Sequence, residues 1–533
     1  MTALVHQLLS ETAMRQPDAQ ALRYQEQSLS YRALSDHVSE FSDALLTLGV
    51  RRSERVAIYL EKRFENVIAM FAAWQAGAVM VPVNPLLKQE QISYQLNHCQ
   101  AAVLITSTER FETNLAVLRS CPSLRCVIVV GRASEGKTDL PFRLICWEEA
   151  MKERTTMPPH PVVDMDMAAI LYTSGSTGKP KGVVCSHRNL VAGAQSVSSY
   201  LHNNANDRVL CVLPFSFDYG LSQLTTVFLT GGTAVLLNYL LPNDIIQAIR
   251  KERITGLAAI PPLWGQLSLL DWSSINFLRF ATNSGGAMPR SVLNSLRQSI
   301  PNTRIYLMYG LTEAFRSTYL DPDEVDIRPD SIGKAIPNNE VLVVRPDGTE
   351  CDVDEVGELV HRGALVSQGY WNDIVATSER FKPLPIPKDA WRLPEIAVWS
   401  GDLVRKDSAG YLYYVGRNND MIKISGYRIS TIEIEEVLFT LPGMTELAVV
   451  GVAHPHFEQA LVAVVKQNAQ ESLTTDMLRR HCQRHLPAYM QPKHFSLESS
   501  SLPRNANGKI NRLAVSQRFA TFFQSPDDAS QET

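Results

Sequence analysis

Short apolar runs alternate with longer stretches of helical periodicity along most of the chain. Val5 to Met14 has helical spacing and opens the pattern. Phe41 to Leu48 reads as a helix stopped by Gly49, and Glu65 to Ala76 as another stopped by Gly77. Glycine ends a helix well because it tolerates the left-handed conformation that follows the last turn. Between and after them lie the strand-like runs Arg55 to Leu60, Val79 to Val83, Ala101 to Ile105 and Arg125 to Val130. The alternation returns further on: helix Asn189 to Tyr200, strand Val209 to Leu213, helix Leu221 to Leu229, strand Thr233 to Leu237. Strands alternating with helices predict an α/β fold with largely parallel sheets. The proline-rich segment Phe381 to Trp399 reads as a loop or insertion.

A boundary falls near Arg417 to Asp420. Beyond it the pattern gives helix Ile432 to Leu441, strands Glu446 to Val452 and Leu461 to Val465, and helix Thr475 to His485. This is a small α+β unit ending near Ala514, followed by a polar tail expected to fray. The domains expected are therefore 1–417, 418–515 and a tail, 516–533.

Length agrees, since 533 residues exceed what one core supports. The formal net charge of −4 gives no reason to expect nucleic acid or an anionic membrane as partner. Eight cysteines are scattered with no Cys-x-x-Cys pair, which signals neither a zinc site nor a disulfide framework and suits a reducing cytoplasm. Met1 to Gln16 carries Glu11 and no long apolar run, so no secretory leader is expected. The most apolar region, Leu221 to Leu241, is broken by Gly231-Gly232 and reads as core helix plus strand, not as a membrane span.

The candidate chemistry centres on Thr173-Ser174-Gly175-Ser176-Thr177-Gly178-Lys179-Pro180-Lys181-Gly182, led in by the apolar strand Ala168 to Leu171. Glycines let backbone N–H groups turn toward one anion, hydroxyls add donors, and lysines supply charge, as a polyphosphate requires. The glycine spacing differs from a Walker A loop, and Pro180 argues against a helix starting there. Tyr309-Gly310-Leu311-Thr312-Glu313 follows the strand Arg304 to Met308 and places an aromatic ring and a carboxylate beside a tight turn. A carboxylate in that position suits Mg²⁺. Further segments are Ser284-Gly285-Gly286-Ala287, Trp399-Ser400-Gly401-Asp402, Gly416-Arg417 with Asn418 to Arg428 after it, and Leu502-Pro503-Arg504-Asn505-Ala506-Asn507-Gly508-Lys509-Ile510.

In this order the segments resemble the signature motifs of the adenylate-forming superfamily: acyl-CoA synthetases, adenylation domains of peptide synthetases, and luciferases. The resemblance covers nearly the whole chain. It implies a large N-terminal domain of stacked, mostly parallel sheets with helices, and a small mobile α+β C-terminal domain. It implies ATP binding by Thr173, Ser174, Gly175, Ser176, Thr177, Gly178, Lys179, Lys181, Gly285, Gly286, Ala287, Tyr309, Gly310, Asp402 and Arg417. Asp402 and Arg417 would reach the ribose hydroxyls. Lys509, Thr312 and Glu313 would be catalytic, with Glu313 the Mg²⁺ ligand. Asn419 would be the hinge, where the family usually has Asp or Lys. The reaction implied is attack of a carboxylate on the α-phosphorus of ATP, giving acyl-AMP and pyrophosphate. A phosphopantetheine thiol, of CoA or of a carrier protein, then takes the acyl group after the small domain rotates.

The acid pocket implied comprises Phe217, Asp218, Tyr219, Ser222, Leu263, Ser284, Met308 and Arg316. Leu213-Pro214-Phe215-Ser216-Phe217-Asp218-Tyr219-Gly220-Leu221 falls where fatty acyl-CoA ligases carry a histidine, here Phe217. In amino-acid-activating relatives a Phe-Asp at this place binds the substrate's ammonium. A buried aspartate needs some cation, and the residues leave two candidates open: a substrate ammonium, or Arg316. Pro82-Val83-Asn84-Pro85 has the acyl-CoA-ligase style, and no carrier domain accompanies the chain, so a free-standing ligase is expected. Tyr309 to Leu320 is most similar to acyl-CoA ligase-like proteins associated with exosortase loci. The alternative is a free-standing amino- or imino-acid ligase, for example for proline, that loads a separate carrier protein.

Overall fold

The computed structural model describes residues 2–132, 139–155, 157–173, 180–384, 393–417, 422–424, 427–429, 431–454, 459–468, 473–486, 488–505 and 508–524. The chain divides into two compact units. The first comprises Met1–Val341 and His361–Trp399, the second Leu342–Val360 and Ser400–Thr533.

The first unit is built on two sheets. In one, the strands run in the order Arg143–Cys146, Cys126–Val130, Ala101–Ser107, Arg55–Tyr59, Val79–Pro82, Met167–Thr173, Lys181–Ser186. All neighbours are parallel except the last pair, an antiparallel hairpin. In the other, Arg304–Tyr309, Phe280–Asn283, Gly256–Ala259, Arg208–Cys211, Thr233–Leu236 and Gln20–Tyr24 are parallel neighbours, with antiparallel strands at the flanks. Strands buried on both faces need helices on both sides, and the alternation in the sequence supplies them.

Two of those helices are buried nearly all round: Phe64–Gln75 and Asp218–Thr230. A helix that is apolar on every face belongs inside a protein. They meet where Phe71 and Phe228 pack edge to face, ring centroids 5.2 Å apart. Trp74 Nε1 donates to the carbonyl of Ala168 at 2.8 Å, which ties the first helix to the strand Met167–Thr173.

The segment Leu221 to Leu241 is core helix and strand, as its interrupted hydrophobicity predicts. No helix among the described residues is long and apolar enough to cross a membrane. The proline-rich segment is a correction. Its ends are not loop: Phe381–Pro383 pairs antiparallel with the start of Ile396–Lys406. Residues 385–392 lie outside the described residues. The prolines dominate the composition there, but an edge strand tolerates Pro383 because it needs partners on one side only.

In the second unit, Met444–Ala453 and Gln459–Gln467 form a long antiparallel pair, and His494–Glu498 joins parallel to the latter. Helices Thr431–Phe439 and Thr475–His485 cover one face around Ile434, Leu438, Leu478 and Cys482. The last helix, Arg512–Arg518, runs past Ala514 because Val515 is fully buried against the opposite face of these strands. Glu435 anchors it, accepting from both Arg512 Nη atoms at 2.6 and 2.7 Å. The tail beyond residue 524 lies outside the described residues.

Among the described histidines, His187 and His361 are buried and His6 is half-buried beside the former's helix. Burial depresses His6 and His187 to about 4 and His361 to about 3, so all three are held neutral. His187 Nδ1 accepts from the backbone N–H of Val5 at 3.2 Å, a bond that needs the unprotonated nitrogen. In the unfolded chain these rings take up protons near the ordinary value of 6.5. Their contribution to stability is therefore complete above pH 6.5 and is lost as pH falls toward about 4. The thermal midpoint is expected to fall across that window, and less steeply in His187→Asn. An unchanged slope in the variant would contradict the assignment.

Candidate active site

The strand Met167–Thr173 and the strand Lys181–Ser186 pair antiparallel, with Thr173 opposite Lys181. The two strands therefore form a hairpin, and a strand rather than a helix follows Pro180, as the sequence predicts. Ser174, Gly175, Ser176, Thr177, Gly178 and Lys179 lie outside the described residues. The base of the loop is fixed by neighbours. Tyr94 Oη donates to the Pro180 carbonyl at 3.0 Å, and Trp371 N–H to the Gly182 carbonyl at 2.7 Å. Gly182 is required there: a Cβ would lie 2.7 Å from Ile170 Cγ2.

Tyr309 ends a parallel strand, and the loop 310–317 returns to Thr318, which pairs with Tyr309. Thr312, Glu313 and Ala314 form a single 3₁₀ turn within it. Glu313 is 9% exposed. Tyr370 Oη donates to Glu313 Oε1 at 2.5 Å, while Lys181 Nζ lies 5.1 Å from the centre of the Tyr370 ring. Tyr370 thus joins the base of the phosphate loop to Glu313. Burial and the adjacent carboxylate push the Tyr370 hydroxyl far above its ordinary value, so it remains a donor. Sequence reasoning missed this residue. Its signal is weak: an aromatic beside Gly369, with no charge or motif to mark it.

The segment Ser284 to Ala287 leaves the neighbouring parallel strand, with Gly285 at φ +84° and Asn283 Nδ2 donating to the Gly286 carbonyl at 3.0 Å. It and Tyr309-Gly310 therefore exit side by side at the carboxyl ends of parallel strands, where α/β sheets bind ligands. Tyr309 stacks on the fully buried His361, ring centroids 6.3 Å apart.

Asp218 begins the buried helix Asp218–Thr230, where the helix dipole favours a carboxylate. Gly220, in the first turn of this helix, leaves room for the chain that leads into it, since a Cβ there would lie 2.0 Å from the Pro214 carbonyl oxygen. Of the two candidate cations, the structure supplies Arg316: its Nη1 is 3.7 Å from Asp218 Oδ2, with side chains 3% and 5% exposed. Both Asp218 and Glu313 act on the buried Cys185, whose thiol is raised chiefly by burial and then by those two charges. A cavity here is lined by Tyr219, Ser222, Met308 and Arg316 of the expected pocket, and also by Gln223 and Thr282. Phe217, Asp218, Leu263 and Ser284 do not line it. Phe217 instead packs edge to face on Tyr219, ring centroids 6.2 Å apart.

In the second unit, Asp402 and Arg417 face each other across an antiparallel pair, Arg417 Nε donating to Asp402 Oδ1 at 2.9 Å. Lys509 is exposed on a turn in which its N–H donates to Asn505 Oδ1 at 3.0 Å and Gly508 takes φ +77°. Asn507 and the expected hinge Asn419 lie outside the described residues.

Among the described residues, no three His, Cys, Asp or Glu converge as a metal cluster. A single carboxylate nonetheless suits Mg²⁺, which keeps waters and takes further ligands from phosphates. Glu313 fits that demand.

A hairpin whose connecting sequence is rich in glycine, hydroxyls and lysine is tied through Tyr370 to a nearly buried carboxylate at the carboxyl ends of parallel strands. The chain belongs to the AMP-binding enzyme family, whose model matches residues 9–371; the AMP-binding enzyme C-terminal domain matches residues 433–509. The chain is 29% identical over 528 residues to the L-proline–[L-prolyl-carrier protein] ligase of Pseudomonas fluorescens, covering 97% of this chain and 99% of that one. It is also 30% identical over 526 residues to tyrocidine synthase 3 of Brevibacillus parabrevis, covering 96% of this chain but spanning only 8% of that protein's length. Against subunits D and C of linear gramicidin synthase of the same organism it spans 10% and 6% of their length. O-succinylbenzoate coenzyme A synthetase of Bacillus subtilis, solved with ATP and magnesium ion, superposes with a TM-score of 0.81 at 25% identity, over 95% of this chain and 98% of that one.

The Asp218–Arg316 pair yields a direct test. Asp218→Ala and Arg316→Ala each strand a buried charge, at a cost of about 3 kcal/mol or more. The double substitution is expected to lower the thermal midpoint by less than the sum of the two. Additive losses would contradict the pairing.

Proposed function

We propose that this protein joins a small carboxylic acid to a phosphopantetheine thiol, of CoA or of a carrier protein, through an acyl-AMP intermediate. The observation that carries this reading is the Lys181–Tyr370–Glu313 cluster, which couples the base of the phosphate loop to a carboxylate suited to Mg²⁺. The loop, residues 173–181, holds the phosphates that leave as pyrophosphate. Ser284 to Ala287 and Tyr309-Gly310 take the adenine side, and Asp402 and Arg417 the ribose. Mg²⁺, when bound, neutralises phosphate charge. Thr312 and Glu313 fix the reacting end, and Lys509 stabilises charge that develops between carboxylate and α-phosphate.

In this reading residues 1–417 and 418–515 act as separate bodies, and Asn419 is the hinge between them. One acid site then serves two reactions, with Lys509 withdrawn for the second. The enzyme works in the cytoplasm, where its eight unpaired cysteines stay reduced.

The second reading, an amino- or imino-acid ligase that loads a separate carrier protein, is favoured by Phe217-Asp218 and by the full-length similarity to the proline ligase. It requires Asp218 to serve an ammonium while it neighbours Arg316. An Asp218→Ala variant with full activity on an amino acid would remove that reading.

Lys509→Ala is expected to lower ATP–pyrophosphate exchange by about 100-fold or more. Its thermal midpoint should not change, because Lys509 is exposed. Thioester formation from presynthesised acyl-AMP should persist. Exchange at the wild-type rate would remove Lys509 from the adenylation step.

A further inference from the structure

We infer that the acid activated by this enzyme carries a second carboxylate at its far end, and that the Nε–Nη2 edge of Arg316 binds it. The inference rests on the acid-activation reading above and adds the substrate class.

Arg316 is 3% exposed, and its Nη1 is directed to Asp218. Its Nε and Nη2 are buried and have no hydrogen-bond partner among the described residues. Those two atoms form one edge of the guanidinium, a fork of parallel N–H groups that matches the two oxygens of a carboxylate. Buried donors left without acceptors are costly, so an orphaned fork marks a place where a ligand belongs.

The orientation of Arg316 is imposed by its backbone. Phe315 has φ +51°, and Arg316 N–H donates to the Ala314 carbonyl at 2.6 Å. This is a γ-turn of the rare, strained hand. Its anchor is the Phe315 ring, fully buried against helix His187–Tyr200 at Gly193, where a Cβ would lie 2.5 Å from the ring. The guanidinium lies over the Tyr219 ring, 4.7 Å from its centre, and Tyr219 Oη is bound to Thr282 Oγ1 at 2.5 Å. Strain, an aromatic plug and a tethered ring therefore hold one side chain in one pose.

Gln223 lines the same cavity, is 5% exposed, and has neither amide atom partnered among the described residues. It supplies a further donor for an anionic oxygen. Among the described residues, Arg316 is the one charged side chain that lines the cavity. A substrate ammonium would meet that charge, whereas a carboxylate completes it. An alkyl terminus would leave every one of these polar atoms unsatisfied.

The test is ATP–pyrophosphate exchange with matched pairs of diacid and monoacid: succinate with butyrate, glutarate with pentanoate, adipate with hexanoate, and proline as the amino-acid control. At the chain length that fits, the diacid is expected to exceed its monoacid by about 10- to 100-fold in kcat/KM. The double variant Asp218→Asn with Arg316→Gln, which removes both charges without stranding either, is expected to abolish that gap. Preference for a monoacid or for proline would overturn the inference, as would a gap that survives in the double variant. If no acid supports exchange, the ligase reading fails by itself. The inference is then decided by binding: a rise in thermal midpoint with diacid, present in the wild type and lost in the double variant, sustains it, and no rise overturns it.

Discussion

Two opposite charges out of water must be held together or not made at all. Asp218 and Arg316 carry that constraint. Desolvating a carboxylate and a guanidinium costs several kcal/mol each, so a buried pair persists only where geometry is enforced. Here the enforcement comes from both sides. Gly220 allows the turn that sets Asp218 at a helix N-terminus, and Gly193 makes room for the ring that holds Arg316 in a strained turn. The pair is not a stability device, because apolar side chains would fill the space at less cost. What it provides is a fixed cation with one edge unspent, lining a cavity between helices His187–Tyr200 and Asp218–Thr230 and the neighbouring strands.

The phosphate side follows a different logic. Its loop closes a hairpin, so the strand pairing that builds the sheet also sets the loop's ends. Tyr370 carries that position to Glu313 through a short hydrogen bond. The loop 310–317 carries Thr312 and Glu313 in its single 3₁₀ turn and Arg316 two residues beyond it.

The fold was largely legible in the sequence because burial imposes periodicity. Continuous apolar runs such as Ala101 to Ile105 and glycine stops such as Gly77 mark elements directly. Phe381–Pro383 was not legible, since proline dominates local composition while sheet pairing is a long-range fact. The tight turn at Tyr309-Gly310 was legible because a strand that ends and doubles back needs a small residue there, whereas Gly175 and Gly178 lie outside the described residues. Tyr370 and Gln223 were not, because an isolated tyrosine or glutamine acquires meaning only through what the fold sets beside it. Asp218 lay between these cases: its need for a cation followed from burial, and the identity of that cation, Arg316, came from the geometry.

Whether Arg316 offers its open edge to a second carboxylate is decided most directly by calorimetric titration. Two non-hydrolysable acyl-sulfamoyl adenosines would be compared that differ only in the acyl terminus, one ending in a carboxylate and one in a methyl group. The carboxylate form is expected to bind tighter by about tenfold or more, with the difference lost when Asp218 and Arg316 are both neutralised. Equal affinities, or tighter binding of the methyl form, would contradict that role for Arg316.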